Sequence, residues 1–66
     1  MNIGETIKRI REQREISQVA LAEKVGVTQA MICQIERGTK NPSVQVAALI
    51  AKVLDCTVDE LLNNGV

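Results

Sequence analysis

The sequence predicts an all-α fold, a compact five-helix bundle that forms a single domain over residues 1–66. Apolar residues make up 45% of the chain and charged residues 24%, which is typical of a globular protein rather than a disordered one. The apolar residues recur three and four positions apart between helix-capping residues, and no strand pattern is found. Because the chain has no Phe, Tyr or Trp, its core must be built from Ile, Leu, Val, Ala and Met.

The first helix is predicted to begin at the N-terminus and to end at about Arg14. Asn2 and Glu5, three residues apart, have the form of a capping box, in which each side chain bonds the backbone N–H of the other residue. Three apolar residues then fall on one face of the helix. They are Ile3, Ile7 and Ile10.

The second and third helices are predicted from their cap residues. Ser17 is an N-cap for a segment that ends at Gly26, and Thr28 caps a segment that runs to Gly38. A loop follows over residues 39–42.

The fourth helix is predicted to open at Pro42-Ser43 and to reach about Leu54. Thr57 and Glu60 form a second capping box, which starts a short fifth helix that ends near Asn63. These two helices thus occupy about residues 43–63.

The second and third helices are joined by a turn short enough to form a helix-turn-helix over about residues 17–37. Ala22 is small where steeply crossing helices must approach closely, and Gly26 permits the left-handed conformation that redirects the chain. The other apolar positions are four apart in the second helix and three apart in the third, with one in the turn. They are Leu21, Val25, Val27, Ile32 and Ile35.

The composition excludes several kinds of function. The chain has no His, so it lacks an imidazole base and a His-containing zinc site, and without aromatic residues it has no stacking platform for single-stranded nucleic acid. Because no nucleophile–base pair or metal-binding cluster is evident, we expect no enzyme activity, no metal, no cofactor and no small-molecule ligand.

The expected location is the cytoplasm. No apolar run approaches the ~20 residues of a membrane span, and the N-terminus lacks a secretory pattern. Cys33 and Cys56 lack a partnering motif and are expected to be reduced thiols.

The net charge of zero, taken alone, argues against a strongly basic nucleic-acid binder. The charge is unevenly distributed, however. Residues 1–40 hold seven bases and five acids, a balance of +2, whereas residues 41–66 hold one base and three acids, a balance of −2. The part of the chain that contains the helix-turn-helix is therefore mildly basic.

Several segments together resemble one known family. The segments are Ser17-Gln18, Leu21 to Gln29, Ile32 to Gly38, Asn41-Pro42-Ser43, Ile50-Ala51-Lys52 and Asp59-Glu60-Leu61-Leu62. They resemble the Cro/C1 (XRE-type) helix-turn-helix family, and they cover nearly the whole chain. The resemblance implies a lambda-repressor-like domain that binds double-stranded DNA and regulates transcription, usually as a dimer on a palindromic operator. Repression is the expected effect.

The outer face of the third helix is the surface expected to enter the major groove. If Ile32 and Ile35 face the core, this face has no carboxylate that would repel DNA. Glutamine can pair with adenine through two hydrogen bonds, and small apolar groups can touch a thymine methyl. Resemblance to lambdoid phage repressors implies base contacts by part of this face, and the residues expected at the bases are Gln29, Ala30, Cys33 and Gln34.

Contacts to the DNA backbone are expected at the edges of the same surface. The resemblance puts Gln18 on a phosphate at the start of the second helix, where helix N-termini already favour anions. The other residues expected at the backbone are Thr28, Arg37, Lys40 and Asn41. The alternative is that the exposed glutamines are merely solvated.

Arg11 and Glu36 both border the buried stripes of their helices. The resemblance implies an ion pair between the first and third helices, which would fix helix placement more than it adds stability. The alternative is two unrelated surface charges.

The fourth helix has an excess of apolar surface. Between Val44 and Leu54 only Gln45 and Lys52 are polar, so the helix is expected to be buried nearly all round. We expect part of this surface, together with residues of the fifth helix, to form a two-fold interface with a second copy of the chain. The expected interface residues are Val46, Leu49, Val53, Val58, Leu61 and Leu62. The alternative is that Leu61 and Leu62 fold back and cover the fourth helix themselves.

The neutral charge and the apolar fourth helix leave a second function open. They also fit a protein-interaction module of the same fold, antitoxin-like or an anti-repressor partner, with little DNA affinity.

Glu15 and Asp55 stand where the family commonly has a helix-ending Gly. Because Glu tolerates the left-handed conformation less well than Asp, the first helix is expected to end differently.

Overall fold

The computed structural model describes residues 3–62, in which all the regular elements are α-helices. They are α1 (Ile3–Gln13), α2 (Gln18–Val25), α3 (Gln29–Arg37), α4 (Val44–Val53) and α5 (Val58–Leu62). The prediction of five helices is confirmed. The predicted cap at Asn2 and the predicted end of the fifth helix near Asn63 lie outside the described residues.

Hydroxyl side chains cap three of the helices at the predicted positions. In each, the hydroxyl oxygen accepts a hydrogen bond from the backbone N–H three residues on, which satisfies a donor that has no partner within the helix. The bonds run from Ala20 N to Ser17 Oγ (3.0 Å), from Met31 N to Thr28 Oγ1 (3.1 Å) and from Val46 N to Ser43 Oγ (3.1 Å). The cap residues therefore fix where α2, α3 and α4 begin.

The predicted capping box at the start of α5 is complete. Glu60 N donates to Thr57 Oγ1 and Thr57 N donates to Glu60 Oε1, both over 3.0 Å. Each side chain thus satisfies the backbone donor of the other residue.

The expectation that the first helix would end differently was wrong. Glu15 adopts the left-handed conformation with φ of 57°, the same value as Asp55. Glu15 N bonds to the carbonyl of Glu12 and Ile16 N to that of Arg11, at 3.0 and 3.1 Å. These two bonds satisfy carbonyls at the helix end, and Ile16 packs against the core just beyond it. Together they offset the steric cost of a non-glycine residue at Glu15.

All five helices contribute to one aliphatic core. Among the described residues, its buried members are Ile7, Ile10, Leu21, Ala22, Val25, Ile32, Ile35, Ile50, Ala51, Leu54 and Leu61. Leu61, expected at a dimer interface, is fully buried within its own subunit, which corrects that assignment. The physical reason is the direction of α5, which points Leu61 into the core while Leu62 stays 61% exposed.

Two contacts set the position of α1. Gly4 is buried, and a Cβ atom there would meet the carbonyl oxygen of Ile35, so α1 and α3 touch backbone to backbone. At the other end of α1, Arg14 Nε donates to the carbonyl oxygen of Leu54 over 3.0 Å. This bond ties the end of α1 to the end of α4. Neither contact was predicted from the sequence.

Candidate nucleic-acid interface

The turn between α2 and α3 has the geometry expected from its sequence. Gly26 adopts φ of 88°, and Gly26 N and Val27 N both bond to the carbonyl oxygen of Ala22, at 2.8 and 3.0 Å. Ala22 and Leu21 are buried where the two helices pack. The turn therefore redirects the chain within the three residues between the helices and leaves the outer surface of α3 uncovered by α2.

The outer face of α3 carries the residues that were expected to touch bases. Gln29, Ala30 and Gln34 are exposed, whereas Cys33 is half-buried at the edge of the face. The carboxylate of α3 belongs to Glu36, which is buried. The exposed surface of this helix therefore presents amides, a methyl group and the cation of Arg37, with no negative charge.

The residues expected at the DNA backbone lie around this face. Thr28, Lys40 and Asn41 are exposed, although the Thr28 hydroxyl oxygen also caps α3. The loop after α3 is held by the carbonyl oxygen of Gln34, which accepts bonds from Thr39 N, Thr39 Oγ1 and Lys40 N at 3.0, 3.1 and 3.3 Å. These bonds fix the backbone of Lys40 close to the last turn of α3.

Arg11 and Glu36 form the ion pair between the first and third helices. Arg11 Nε lies 2.6 Å from Glu36 Oε2, and Arg11 Nη2 lies 3.1 Å from Glu36 Oε1. The third guanidinium nitrogen, Nη1, donates to the carbonyl oxygen of Ile16 over 2.8 Å. The hydrogen bonds to Glu36 raise the pKa of the Arg11 guanidinium, although burial opposes that rise. The pair joins α1, the turn after it and α3.

Gln18 belongs to the same network, which sequence reasoning did not predict. Gln18 is the first residue of α2, and its Nε2 donates to Glu36 Oε1 over 3.0 Å. The residue is half-buried, so its side chain is held at the edge of the surface rather than free in solvent. Only an indirect indication of this bond was present in the sequence, because the sequence predicted a phosphate contact for Gln18 and, separately, the ion pair for Glu36.

The residues expected at a dimer interface differ in exposure and in position. Successive residues turn by about 100° around a helix, so Val46 and Val53 lie on one flank of α4 and Val44 lies on the other. Val46 and Val53 are half-buried against the core, whereas Val44 is 85% exposed. Leu49 is also exposed, so α4 is not buried all round within one chain.

The flank that carries Val44 lines an apolar groove of about 370 Å³. Its walls come from the start of α1, the loop before α4, α4 itself and α5. We call this surface the α4–α5 groove, and its apolar side chains are Ile3, Pro42, Val44, Ala47, Val58 and Leu62. Val58 and Leu62 were expected at an interface, whereas Val44 was not.

Residues 3–62 contain neither a helix that could span a membrane nor a cluster of metal ligands. None of the helices in this range is long and apolar enough to cross a membrane. The same residues bring together no group of three or more potential metal ligands among His, Cys, Asp and Glu. Burial raises the pKa of the Cys56 thiol, with a further contribution from the charge of Glu60.

These features define a helix-turn-helix domain with an uncovered third helix whose exposed face carries no carboxylate. Residues 7–61 match a family model described as helix-turn-helix. The transcriptional regulator SinR of Bacillus licheniformis is 42% identical over 62 residues, which are 92% of this chain and 56% of SinR. The chain belongs to the helix-turn-helix family of the Cro/C1 (XRE) type.

Solved structures show the same fold. The P22 c2 repressor in complex with a synthetic operator matches with a TM-score of 0.89 and 35% identity, covering 94% of each chain. A SinR–SinI protein complex matches with a TM-score of 0.88 and 40% identity over 94% of this chain and 61% of that one. This chain spans about half the length of the first curated relatives that it matches.

Proposed function

We propose that this domain binds double-stranded DNA sequence-specifically and acts as a transcriptional repressor. The observation that carries the proposal is the outer face of α3, where Gln29, Ala30 and Gln34 are exposed and the carboxylate of Glu36 is turned inward into an ion pair. A helix of this kind enters the major groove without charge repulsion, and its glutamines match the donor and acceptor pattern of adenine.

The remaining residues of the surface are proposed to hold the domain on the DNA backbone. Arg37 and Lys40 supply positive charge at the end of α3, and Thr28 and Asn41 supply neutral donors. Gln18 faces a phosphate from the start of α2. Cys33, half-buried on the same helix, is proposed to contact a base.

The relatives support this proposal. A repressor with the same fold and 35% identity is known in complex with a synthetic operator, and SinR is a transcriptional regulator. A cytoplasmic location belongs to the same proposal, because a regulator of this kind meets chromosomal DNA there.

We further propose that the domain acts as a homodimer through the α4–α5 groove. Val44 is 85% exposed and Leu62 61% exposed, and both line the same apolar groove. Covering such a surface with a second copy removes apolar area from water, which favours association. Of the residues expected at a dimer interface, Val58 and Leu62 line this groove, and Val44 joins them. Val46 and Val53 are left out because they lie on the opposite flank of α4.

A protein-interaction module of the same fold is the second candidate function. It is favoured by the same groove, which is apolar enough to receive a helix from another protein, and by the neutral overall charge. A relative of this fold is known in complex with a second protein. This candidate requires no binding to DNA.

Random-site selection with the purified protein separates the two candidates. We expect enrichment of a palindromic duplex with half-sites about one helical turn apart, and an affinity that falls with rising salt. Because few basic residues flank α3, the salt dependence should be shallow. If no duplex is enriched over the starting pool at low salt, the DNA-binding proposal fails and the interaction module remains.

A further inference from the structure

We propose that Glu36 is a positioning residue for DNA binding: it orients the side-chain amide of Gln18 so that one N–H of that amide faces a DNA phosphate. The inference rests on the proposed DNA binding by this domain. It assigns to the Arg11–Glu36 ion pair a role at the DNA surface in addition to its role between helices.

The hydrogen bond to Glu36 fixes the orientation of the Gln18 side-chain amide. Gln18 Nε2 donates to Glu36 Oε1 over 3.0 Å. An ionised carboxylate can only accept hydrogen bonds, so a flipped amide would bring its own carbonyl oxygen against another acceptor. The carboxylate therefore keeps Nε2 on the side of Glu36.

The Glu36 carboxylate is itself held in place by Arg11. Arg11 holds both oxygens of Glu36, at 2.6 and 3.1 Å, and only 7% of Glu36 is exposed. Two parallel bonds from a guanidinium fix the plane of a carboxylate as well as its position. Arg11 also neutralises the negative charge, which would otherwise repel a nearby phosphate.

The second N–H of the Gln18 amide is available to a ligand. The Nε2 atom carries two N–H donors and directs one of them to Glu36. The second donor is therefore left on a nitrogen whose position is already fixed. Gln18 is also the first residue of α2, an eight-residue helix, where backbone N–H groups and the helix dipole favour an anion. A donor held in this way loses little side-chain entropy when it binds, unlike a glutamine that is free in solvent.

A charge-neutral replacement of the ion pair tests the proposal. The substitutions Arg11→Met and Glu36→Leu together remove one positive and one negative charge, and buried ion pairs often tolerate such apolar replacement. Gln18→Ala is then made in the wild-type and in the pair-replaced protein. The affinity of all four proteins for the duplex recovered by random-site selection is measured by fluorescence anisotropy, with Gln45→Ala as the control for an exposed glutamine on another helix.

We expect Gln18→Ala to weaken binding about tenfold in the wild-type protein, the loss of one hydrogen bond to a charged group. Replacing the pair should itself weaken binding about tenfold, and adding Gln18→Ala there should change it less than about twofold, because the two effects are coupled. Gln45→Ala should bind as the wild type does. The proposal is overturned if the pair-replaced protein binds as tightly as the wild type, or if Gln18→Ala keeps its full effect there.

A measurement on the wild-type protein covers the case in which the pair-replaced protein does not fold. In the NMR spectrum, the two side-chain amide protons of Gln18 should be well separated, and only one should shift when the duplex is added. Amide protons that resemble those of Gln45 in the free protein would overturn the proposal. If the wild type binds no selected duplex, the proposed function itself fails, an outcome distinct from binding without coupling.

Discussion

Arg11 on α1 and Glu36 on α3 are 25 residues apart in sequence and form a two-bond ion pair inside the domain, with 2.6 Å between Nε and Oε2. The exposed fractions of the two side chains are 10% and 3%, so both charges are largely removed from water. A pair buried to this degree is expensive to break from one side, because the remaining charge has no partner. The geometry of α1 against α3 therefore depends on both residues together.

The substitution Arg11→Met should lower the free energy of unfolding by about 3–5 kcal/mol, because it leaves the Glu36 carboxylate buried and unpaired. Adding Glu36→Leu should recover most of that loss. Urea unfolding followed by circular dichroism measures both variants, and Lys8→Met, at an exposed position of α1, is the control. An Arg11→Met variant no less stable than Lys8→Met would show that the pair does not hold the helices.

The substitution Gly4→Ala should destabilise the domain by about 1–3 kcal/mol, although alanine is the better helix former by about 0.5–1 kcal/mol in an unhindered helix. A Cβ atom at Gly4 would meet the backbone carbonyl of Ile35, which cannot move aside as a flexible side chain would. Thermal unfolding of the variant measures the sign of the effect. A rise in melting temperature would mean that α1 and α3 do not touch at this position.

Leu61 and Leu62 are neighbours with opposite expected roles. Because Leu61 is fully buried, Leu61→Ala should lower the free energy of unfolding by about 2–5 kcal/mol through the cavity that it leaves. Because Leu62 is 61% exposed in the α4–α5 groove, Leu62→Ala should leave unfolding almost unchanged and weaken self-association.

Sedimentation across a range of protein concentrations measures the association, with Leu49→Ala as the control for an exposed apolar residue on another face of α4. A wild-type protein that stays monomeric at high micromolar concentration would contradict the dimer proposal. A dimer weakened by Leu49→Ala and not by Leu62→Ala would place the interface elsewhere on α4.

The raised pKa of Cys56 predicts a loss of stability in alkali. Burial favours the neutral thiol in the folded state, so the unfolded chain loses its proton first as pH rises. This contribution is fully present below about pH 8.5, the ordinary pKa of a thiol, and is lost as pH rises through the folded pKa. Urea unfolding at several pH values should show a smaller alkaline loss in Cys56→Ala than in Cys33→Ala. Equal losses in both variants would contradict the assignment.

The sequence was sufficient to predict α2 to α5 because each of them begins with a local signal. Ser17, Thr28 and Ser43 cap helices through bonds that span three residues, and Gly26 ends α2 through its own backbone freedom. Among the helix ends within residues 3–62, the error came at Glu15, where packing of the next residue outweighed the local preference for glycine. Local chemistry thus predicts elements well and their termini less well.

The contacts between distant residues were not predictable in the same way. The bond from Gln18 to Glu36 depends on how α2 and α3 cross, and the approach of Gly4 to Ile35 depends on how α1 packs. Leu61 and Leu62 are identical residues side by side, and only the direction of α5 decides which one is buried. In each case tertiary geometry, absent from any local pattern, determines the role.

The exposed face of α3 is proposed to read DNA sequence. A binding comparison of wild-type protein, Gln29→Ala and Gln34→Ala tests this role on the selected operator and on duplexes that carry each single base-pair substitution. Each glutamine variant should lose about 1–3 kcal/mol on the operator and relax the preference at one base pair, whereas Lys40→Ala should weaken all duplexes alike. If both glutamine variants keep the wild-type preference at each base pair, these glutamines of α3 do not read the operator.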